Sequence, residues 1–276
     1  AQPSFFAETQ QAIRPTLAIA LVTAKSPARL AHVEAGLRSG DRTMPEEVNR
    51  IVVDRVSDVL LAPSRDAVEN LRAEGVPERA VHLVGNVMVD SLLANLDRAR
   101  ARPVLDDLRL EERGYGLVTL HRPANVDDPE VLSRLLGALG RVAASCPLVF
   151  PVHPRTRAAL EGRTLPTGVR AVPALGYLDF LALEAGARLV LTDSGGVQEE
   201  TTVLGVPCVT LRTTTERPIT ITHGTNQLAG TDPDAIRAAA ARALSGDITG
   251  IRPDLWDGKT AVRCVDAILA APPRVT

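Results

Sequence analysis

The stretch "TDSGGVQEE" at residues 192–200 contains a glycine pair followed by two carboxylates. It lies between a strand-like and a helix-like pattern of apolar residues. The apolar residues before it predict a buried strand, and the residues after it predict a helix. Ser194 suits the helix cap, and Gly195 and Gly196 would leave the first backbone N–H groups open to a phosphate. Glu200, about one turn into the helix, could accept both hydroxyls of a ribose. A capped helix whose acidic residues complement its dipole fits the same spacing equally well.

Two histidines end predicted strands. His121 closes "VTLH" and is followed by Arg122, and His153 closes "FPVH". A histidine beside an arginine at a strand end suits pyrophosphate oxygens, although a lone histidine is usually structural. After a later strand, the hydroxyl-rich loop "TTTERPITITHGTN" carries Arg217. That loop could bind phosphate, or it could be an ordinary turn.

Carboxylates also occur after a strand in the first third of the chain. The motif "AHVEAGLRSG" puts His32 and Glu34 at a strand end, and alternation predicts that their side chains share one face. The motif "MPEEVNR" predicts a helix that begins at its proline and carries Glu46 and Arg50. A site position and a solvated edge pair are equally compatible with the first motif. For the second motif, a routine surface ion pair is the commoner explanation.

The elements that would position these residues alternate between strand and helix, which predicts α/β architecture with doubly wound parallel sheets. The predicted strands are Leu30–Val33, Val59–Ala62, Val81–Val84, Gly116–Leu120, Leu148–Val152, Arg170–Pro173, Leu189–Thr192 and Val206–Leu211. The predicted helices are Glu46–Val56, Arg65–Glu74, Val87–Arg100, Pro129–Ala144, Thr156–Glu161, Leu178–Ala185, Val197–Leu204 and Asp234–Leu244. Ligands of such sheets bind beyond the carboxyl ends of the strands.

The highly charged segment Leu93–Gly114 is the predicted connection between two domains. We expect an incomplete Rossmann-like domain over residues 1–97 and a nucleotide-binding Rossmann-like domain over residues 98–257. A helix at about 258–276 is expected to pack back onto the first domain.

Composition excludes several classes of protein. The 276 residues carry a net charge of −2 without any basic block, which argues against nucleic acid or an anionic membrane as a partner. Three widely spaced cysteines predict neither a disulfide framework nor a metal site, and they fit a reducing cytosol. There is no GxGxxG, P-loop, GxSxG or HExxH motif, so standard dinucleotide binding, ATP-driven chemistry and serine hydrolysis are disfavoured.

Five motifs in order, "HVEAGLRSGDRTMPEEVNR", "VTLHRPANVDDP", "PVHPRT", "LTDSGGVQEE" and "TTTERP…HGTN", resemble the non-hydrolysing UDP-N-acetylglucosamine 2-epimerases. The resemblance covers almost everything from Thr16 onward. It implies a glycosyltransferase-B-like pair of Rossmann domains facing a cleft, in a cytoplasmic homodimer that serves polysaccharide biosynthesis. The implied reaction interconverts UDP-GlcNAc and UDP-ManNAc by elimination and re-addition of UDP, without a nicotinamide cofactor or a metal.

The resemblance also assigns roles to residues. It implies that Glu34 and Glu46 are catalytic and that His121 faces the diphosphate. The implied UDP ligands are Arg50, Ser194, Gly195, Gly196, Glu200 on the ribose and Phe180 beside uracil, and the loop pattern adds Arg217. Arg122 and His153 match positions at which a second substrate molecule regulates several bacterial members.

Departures from the family pattern qualify this assignment. No GTRPE or GDT motif occurs, so we expect that the chain omits segments before Ala1 and between Pro15 and Thr16. Pro123 and Ile219 replace residues usual in the family, which could loosen the regulatory site or alter the accepted sugar. Three alternatives remain open: a hydrolysing epimerase, a glycosyltransferase that uses the same UDP site, and a catalytically inactive nucleotide-sugar sensor.

Overall fold

The structure, a computed structural model, describes residues 16–272. The chain divides into two compact units: the first unit comprises Ala1–Asp90 with Asp254–Thr276, and the second comprises Ser91–Pro253. The predicted boundary after residue 97 falls inside a helix, and the division into domains stays a prediction. The expected break after Pro15 and the end of the predicted C-terminal helix, at 273–276, lie outside the described residues.

Strands and helices alternate through both units. Up to residue 100 they are α1 (16–23), β1 (Ala31–Val33), α2 (Pro45–Val56), β2 (Val59–Ala62), α3 (Arg65–Ala73), a 3₁₀ turn (Glu78–Ala80), β3 (Val81–Leu83) and α4 (Val87–Arg100). The remaining elements are α5 (Val104–Asp107), β4 (Gly116–Thr119), α6 (Pro123–Val126), α7 (Pro129–Ala143), β5 (Leu148–Val152), α8 (Pro154–Leu160), β6 (Val169–Pro173), α9 (Tyr177–Gly186), β7 (Leu189–Thr192), α10 (Gly195–Leu204), β8 (Cys208–Thr210), α11 (Ile219–Thr222), β9 (Asn226–Leu228), α12 (Pro233–Ser245) and α13 (Thr260–Ala270).

The first unit contains a parallel sheet in the order β1-β2-β3. Its central strand β2 is buried on both faces, which explains its unbroken apolar sequence. Leu60 and Ala62 pack with α3, whereas Val59 and Leu61 pack with Cys264 of α13. The period of two along a strand thus distributes one apolar run between two helices.

The second unit contains a parallel sheet in the order β6-β5-β4-β7-β8-β9. From β4 the chain first runs outward through β5 and β6, then returns to β7 and runs outward on the other side. Right-handed crossovers therefore place α7 on one face of the sheet and α10 on the other. Helix α12 packs beside α7 over the same buried cluster as Phe150 and Leu191. The order reverses between β4 and β7, where doubly wound sheets bind ligands.

The predicted α/β fold with parallel sheets is confirmed, and each predicted strand and helix corresponds to an observed element. The loop prediction for "TTTERPITITHGTN" was wrong in two places, because the stretch contains the short helix α11 (Ile219–Thr222) and ends where β9 begins at Asn226. With polar Asn226 and Gln227, β9 has no apolar run to reveal it, and its pairing with β8 makes it a strand. The predicted connection Leu93–Gly114 includes the end of α4 and all of α5.

Gly36 offers a stability test of the first unit. It has φ +82°, and a Cβ there would contact the carbonyl oxygen of Ala67 and lie 2.9 Å from Leu71 Cγ. Gly36→Ala is expected to lower the free energy of unfolding by about 3 kcal/mol, through the left-handed backbone and the overpacking together. Fluorescence of Trp256, the sole tryptophan and a buried residue of the same unit, would follow thermal unfolding.

Gly40→Ala is the matched control. Gly40 has φ +73° with nothing within 4 Å of the added Cβ, so only the backbone cost of about 1 kcal/mol is expected. Equal losses for the two variants would contradict the packing argument.

Candidate active site

Asp193, directly after β7, joins the ends of two neighbouring strands. It is fully buried and accepts hydrogen bonds from the backbone N–H groups of His121 at 3.1 Å and Arg122 at 2.9 Å. The side chain of Asn125 donates a third hydrogen bond at 3.1 Å. Burial alone would raise the pKa of Asp193, but the hydrogen bonds from His121 and Arg122 outweigh it and lower that pKa. The loop after β4 is thereby fastened to the start of α10.

Two imidazole rings follow β4 and β5. His121 Nδ1 lies 3.1 Å from Asp193 Oδ1, so the carboxylate accepts the Nδ1 proton and leaves Nε2 for a ligand. The ring of His153 accepts from the N–H of Arg155 through Nδ1 at 3.2 Å, which caps α8 and also leaves Nε2 available. The ring centroids are 5.7 Å apart. Both rings can therefore donate or accept a hydrogen bond through Nε2.

A cavity of about 220 Å³ lies at these strand ends. His121, His153, Phe180 and Ser194 line it, so four of the predicted site residues converge from four different elements. Ser194 occupies the N-cap position of α10 as predicted, but its hydroxyl makes no capping hydrogen bond. The prediction of side-chain capping was therefore wrong, and the hydroxyl is not committed to the helix.

A buried ionic cluster fixes the loop after β8 against α10. Glu216 accepts hydrogen bonds from Arg212 at 2.8 Å and Arg217 at 2.6 Å, and it lies 3.4 Å from Arg122. Burial raises the pKa of Glu216, but the charges of Arg217 and Arg212 oppose it and bring that pKa to about 2. Arg217 also lies 2.7 Å from Glu199. Its charge thus faces two buried carboxylates, and its predicted contact with UDP stays a prediction.

Arg122 also takes part in this internal network. Its Nε donates to the carbonyl oxygen of Asp193 at 3.0 Å, in addition to the contact with Glu216. The guanidinium therefore braces the loop after β4 against the loop after β8. The role that the resemblance implied for Arg122 in regulation stays a prediction.

The two glycines of the motif have different surroundings. A Cβ at Gly195 would contact the guanidinium of Arg217 and lie 2.8 Å from Glu216 Oε1, so the ionic cluster requires a glycine there. At Gly196 nothing lies within 4 Å of an added Cβ, which leaves the start of α10 open. The interpretation that both glycines serve an anion is therefore incomplete, because Gly195 has a packing function of its own.

Glu200 lies on the next turn of α10 and is 6% exposed. Its Oε1 accepts a hydrogen bond from the Tyr177 hydroxyl at 3.0 Å. Sequence reasoning did not select Tyr177, Asp193 or Asn125 as site residues. Asp193 could have been found from its position directly after a buried strand, the position that pointed to Ser194.

In the first unit, Glu34 follows β1 with φ +63°, a conformation that few residues other than glycine adopt. The strand ends at Val33, so the alternation that predicted a shared face for His32 and Glu34 does not extend to Glu34. His32 Nδ1 lies 2.5 Å from Asp54 instead. Backbone strain of this kind clusters at functional positions, which supports the choice of Glu34 as a site residue.

The adjacent residues Glu46 and Glu47, at the start of α2 in the same unit, differ in burial. Glu47 is buried and accepts from the N–H groups of Ser39 and Gly40, both at 2.9 Å. Glu46 is exposed. The surface-pair explanation matched Arg50 with Glu46, whereas the structure gives Arg50 an ion pair with Glu47 at 3.8 Å.

Among residues 16–272, no group of three or more His, Cys, Asp or Glu side chains could hold a metal ion. None of the helices in that range is both long and apolar enough to cross a membrane.

A doubly wound sheet with polar side chains at its point of reversal defines a class of protein that binds ligands at the carboxyl ends of its strands. The family model described as UDP-N-acetylglucosamine 2-epimerase matches residues 14–269. The chain belongs to the UDP-N-acetylglucosamine 2-epimerase family, which confirms the resemblance of its motifs.

Individual relatives agree with this family. The chain is 40% identical over 243 residues to the UDP-N-acetylglucosamine 2-epimerase of Methanococcus maripaludis, covering 84% of this chain and 66% of that protein. It is 43% identical over 236 residues to the UDP-2,3-diacetamido-2,3-dideoxy-D-glucuronate 2-epimerase of Pseudomonas aeruginosa, again covering 84% of this chain and 66% of that protein. The chain thus spans about two thirds of the length of these curated relatives.

Solved structures share the fold. The crystal structure of the Methanocaldococcus jannaschii UDP-GlcNAc 2-epimerase in complex with UDP-GlcNAc and UDP matches with a TM-score of 0.82 at 39% identity, covering 91% of this chain and 72% of that one. The predicted fold class, two Rossmann-like units of the glycosyltransferase-B-like type, is confirmed.

Glu216→Gln tests the ionic cluster. Because the folded-state pKa of Glu216 lies near 2 and its usual value is 4.5, the variant should lose about 3 kcal/mol of unfolding free energy at neutral pH. A lowered folded-state pKa gives stability above pH 4.5 that is lost as the pH falls toward 2. The gap between the native protein and the variant, measured by urea unfolding at several pH values, should therefore close in acid.

Glu111→Gln is the control. Glu111 is exposed in the same unit, and the substitution removes the same charge. Its effect should stay within about 0.5 kcal/mol. A gap for Glu216→Gln that stays constant down to acidic pH would contradict the assigned electrostatics.

Proposed function

We propose that this protein epimerises C2 of a UDP-N-acetylhexosamine, interconverting UDP-N-acetylglucosamine and UDP-N-acetylmannosamine. The observation that carries the proposal is the cavity where His121, His153, Phe180 and Ser194 converge at the point of reversal of the second sheet. Family membership supports an epimerase, and the complex of the Methanocaldococcus jannaschii relative supports UDP-GlcNAc as the ligand. From the resemblance we also propose a cytoplasmic homodimer that serves polysaccharide biosynthesis.

Residues of the second unit would hold the nucleotide. The open start of α10 at Gly196 suits a phosphate, because the first N–H groups of a helix have no partner within it. Phe180 would lie beside uracil, and Glu200 would accept hydrogen bonds from the ribose. His121 would donate from Nε2 to the departing diphosphate, while Asp193 behind the ring stabilises its positive charge.

Residues of the first unit would move the proton. In the first step a base takes the proton from C2, the C1–O bond breaks with its electrons going to UDP, and 2-acetamidoglucal forms. In the second step UDP adds back to C1 while an acid returns a proton to the opposite face of C2. The proposal gives these two tasks to Glu34 and Glu46, and Arg50 would bind UDP.

Two other outcomes have specific support. The 43% identity to the Pseudomonas aeruginosa relative favours UDP-2,3-diacetamido-2,3-dideoxy-D-glucuronate as a second candidate substrate with the same C2 chemistry. Regulation by a second substrate molecule through Arg122 and His153 is a further proposal. It is supported by His153, which lines the same cavity as His121.

Incubation with UDP-GlcNAc in D2O, followed by NMR, tests the reaction. We expect deuterium at C2 together with UDP-ManNAc, because the returning proton comes from a group in exchange with solvent. Free ManNAc with UDP would indicate hydrolysis instead. Turnover of the diacetamido-glucuronate alone would favour the second substrate, and UDP binding without any turnover would indicate a nucleotide-sugar sensor.

Two substitutions test the division of tasks between the units. Glu34→Gln should reduce C2 exchange by roughly a hundredfold or more and leave the UDP dissociation constant nearly unchanged, because only proton transfer is removed. Glu200→Ala should instead weaken UDP binding by roughly tenfold or more, because hydrogen bonds to a charged group are lost. Calorimetry measures binding and NMR measures exchange. The reverse pattern would overturn the assignment.

A further inference from the structure

Glu184 on α9 is a fully buried carboxyl group outside the motifs. Within the described residues, neither of its oxygens accepts a hydrogen bond from a backbone, amide, hydroxyl or cationic donor. Burial raises the pKa of Glu184 well above its usual range, and the neighbouring Glu200 raises it further. An ionised carboxylate in this environment would carry a large desolvation cost without a compensating charge.

The neighbour of Glu184 is Glu200 on α10, and the two carboxyl groups are close enough to share a hydrogen bond once one of them is protonated. Such a bond needs one proton between them, since two ionised carboxylates have only acceptors to offer. Glu200 already accepts from the Tyr177 hydroxyl, whereas Glu184 receives no such bond. Burial raises the pKa of Glu200 as well, but the hydrogen bonds with Tyr177 and Glu184 oppose that rise. The arrangement of donors therefore favours the proton on Glu184 and the charge on Glu200.

The other titratable groups around Glu184 are neutral. Burial raises the pKa of Cys208 on β8 to about 12. Burial and the charge of Glu200 also raise the pKa of Tyr177 on α9. Glu184 and Glu200 are therefore the two groups of this cluster that can carry a negative charge at neutral pH.

We infer that Glu184 is a positioning residue that stays a neutral carboxylic acid and donates its O–H to Glu200, keeping Glu200 ionised and oriented toward the ribose diol of a nucleoside diphosphate. This inference rests on the proposed function, because it assigns the ribose to Glu200. The chemistry recognised is a pair of vicinal hydroxyl groups.

The number of acceptor sites supports this assignment. An ionised carboxylate offers about four lone-pair positions. Tyr177 and Glu184 occupy two of them from the protein side, and two remain for the two hydroxyls of a ribose. A nucleotide that lacks one hydroxyl would leave a buried acceptor unpaired, which costs affinity. The arrangement should therefore select ribonucleotides over deoxyribonucleotides.

The variants Glu184→Gln and Glu184→Leu test the inference in the full chain. Calorimetry with UDP and with 2′-deoxy-UDP should show a preference for UDP in the native protein and in Glu184→Gln, whose amide can still donate to Glu200. Glu184→Leu has no donor, so it should bind UDP roughly tenfold more weakly and lose most of the preference. Equal losses in both variants, or an intact preference in Glu184→Leu, would overturn the positioning role.

Infrared spectroscopy gives a ligand-free test that does not depend on Glu184→Leu folding. The carbonyl stretch of a protonated carboxylic acid should be present in the native protein at neutral pH and absent in Glu184→Gln. Its absence from the native protein would refute the proton assignment. No UDP binding by the native protein, with the band present, would overturn the proposed function and the ribose role while the proton assignment stood.

Thermal unfolding adds a measurement of proton binding. The folded-state pKa of Glu184 lies above its usual value of 4.5, so the folded protein holds a proton that the unfolded chain releases. Stability of the native protein should therefore fall as the pH rises above 4.5, and Glu184→Gln should lack this decrease. The Tm of the variant relative to that of the native protein should therefore increase as the pH rises. A difference in Tm that does not depend on pH would contradict the inference.

Discussion

The candidate site depends on the buried carboxylate of Asp193. The strand order reverses between β4 and β7, which lie side by side, and the chain continues from them to opposite sides of the sheet. The loops after these two strands are therefore held together only by contacts between their own residues. Asp193 supplies it by accepting two backbone N–H groups and the amide of Asn125. The same carboxylate fixes the tautomer of His121. One side chain thus determines the position of the loop and the chemical state of the imidazole.

A second constraint is the buried ionic cluster beside it. Glu199 and Glu216 face the charges of Arg212, Arg217 and, at longer distance, Arg122. Burying such groups is costly unless each is paired, so removing any one partner would leave an uncompensated buried charge. Here it sets the loop after β8 relative to α10, and it leaves room for Arg217 only because residue 195 is a glycine.

The sequence predicted most of the fold because the inner strands, β2 of the first sheet and β4, β5, β7 and β8 of the second, are buried on both faces and therefore form short, mostly apolar runs. The positions of His121, His153 and Ser194 after parallel strands also pointed to one edge of the sheet, where the three line one cavity. Phe180 lies on α9, and only the resemblance selected it. Contacts between helices were not predictable in this way. Tyr177 meets Glu200 across 23 residues through the packing of α9 on α10, and no local pattern encodes that contact.

The two pairs of adjacent glutamates in the motifs each combine one residue that makes an internal contact with one residue that has a proposed role in the site. Of Glu46 and Glu47, the second fixes the loop before α2 and the first stays exposed. Of Glu199 and Glu200, about 100° apart around α10, the first faces Arg217 and the second faces Tyr177. Successive helical residues cannot point the same way, so a doubled carboxylate provides one group for an internal contact and leaves the other to the proposed chemistry. That division explains why both members of each pair are glutamate although only one of them was assigned to the chemistry.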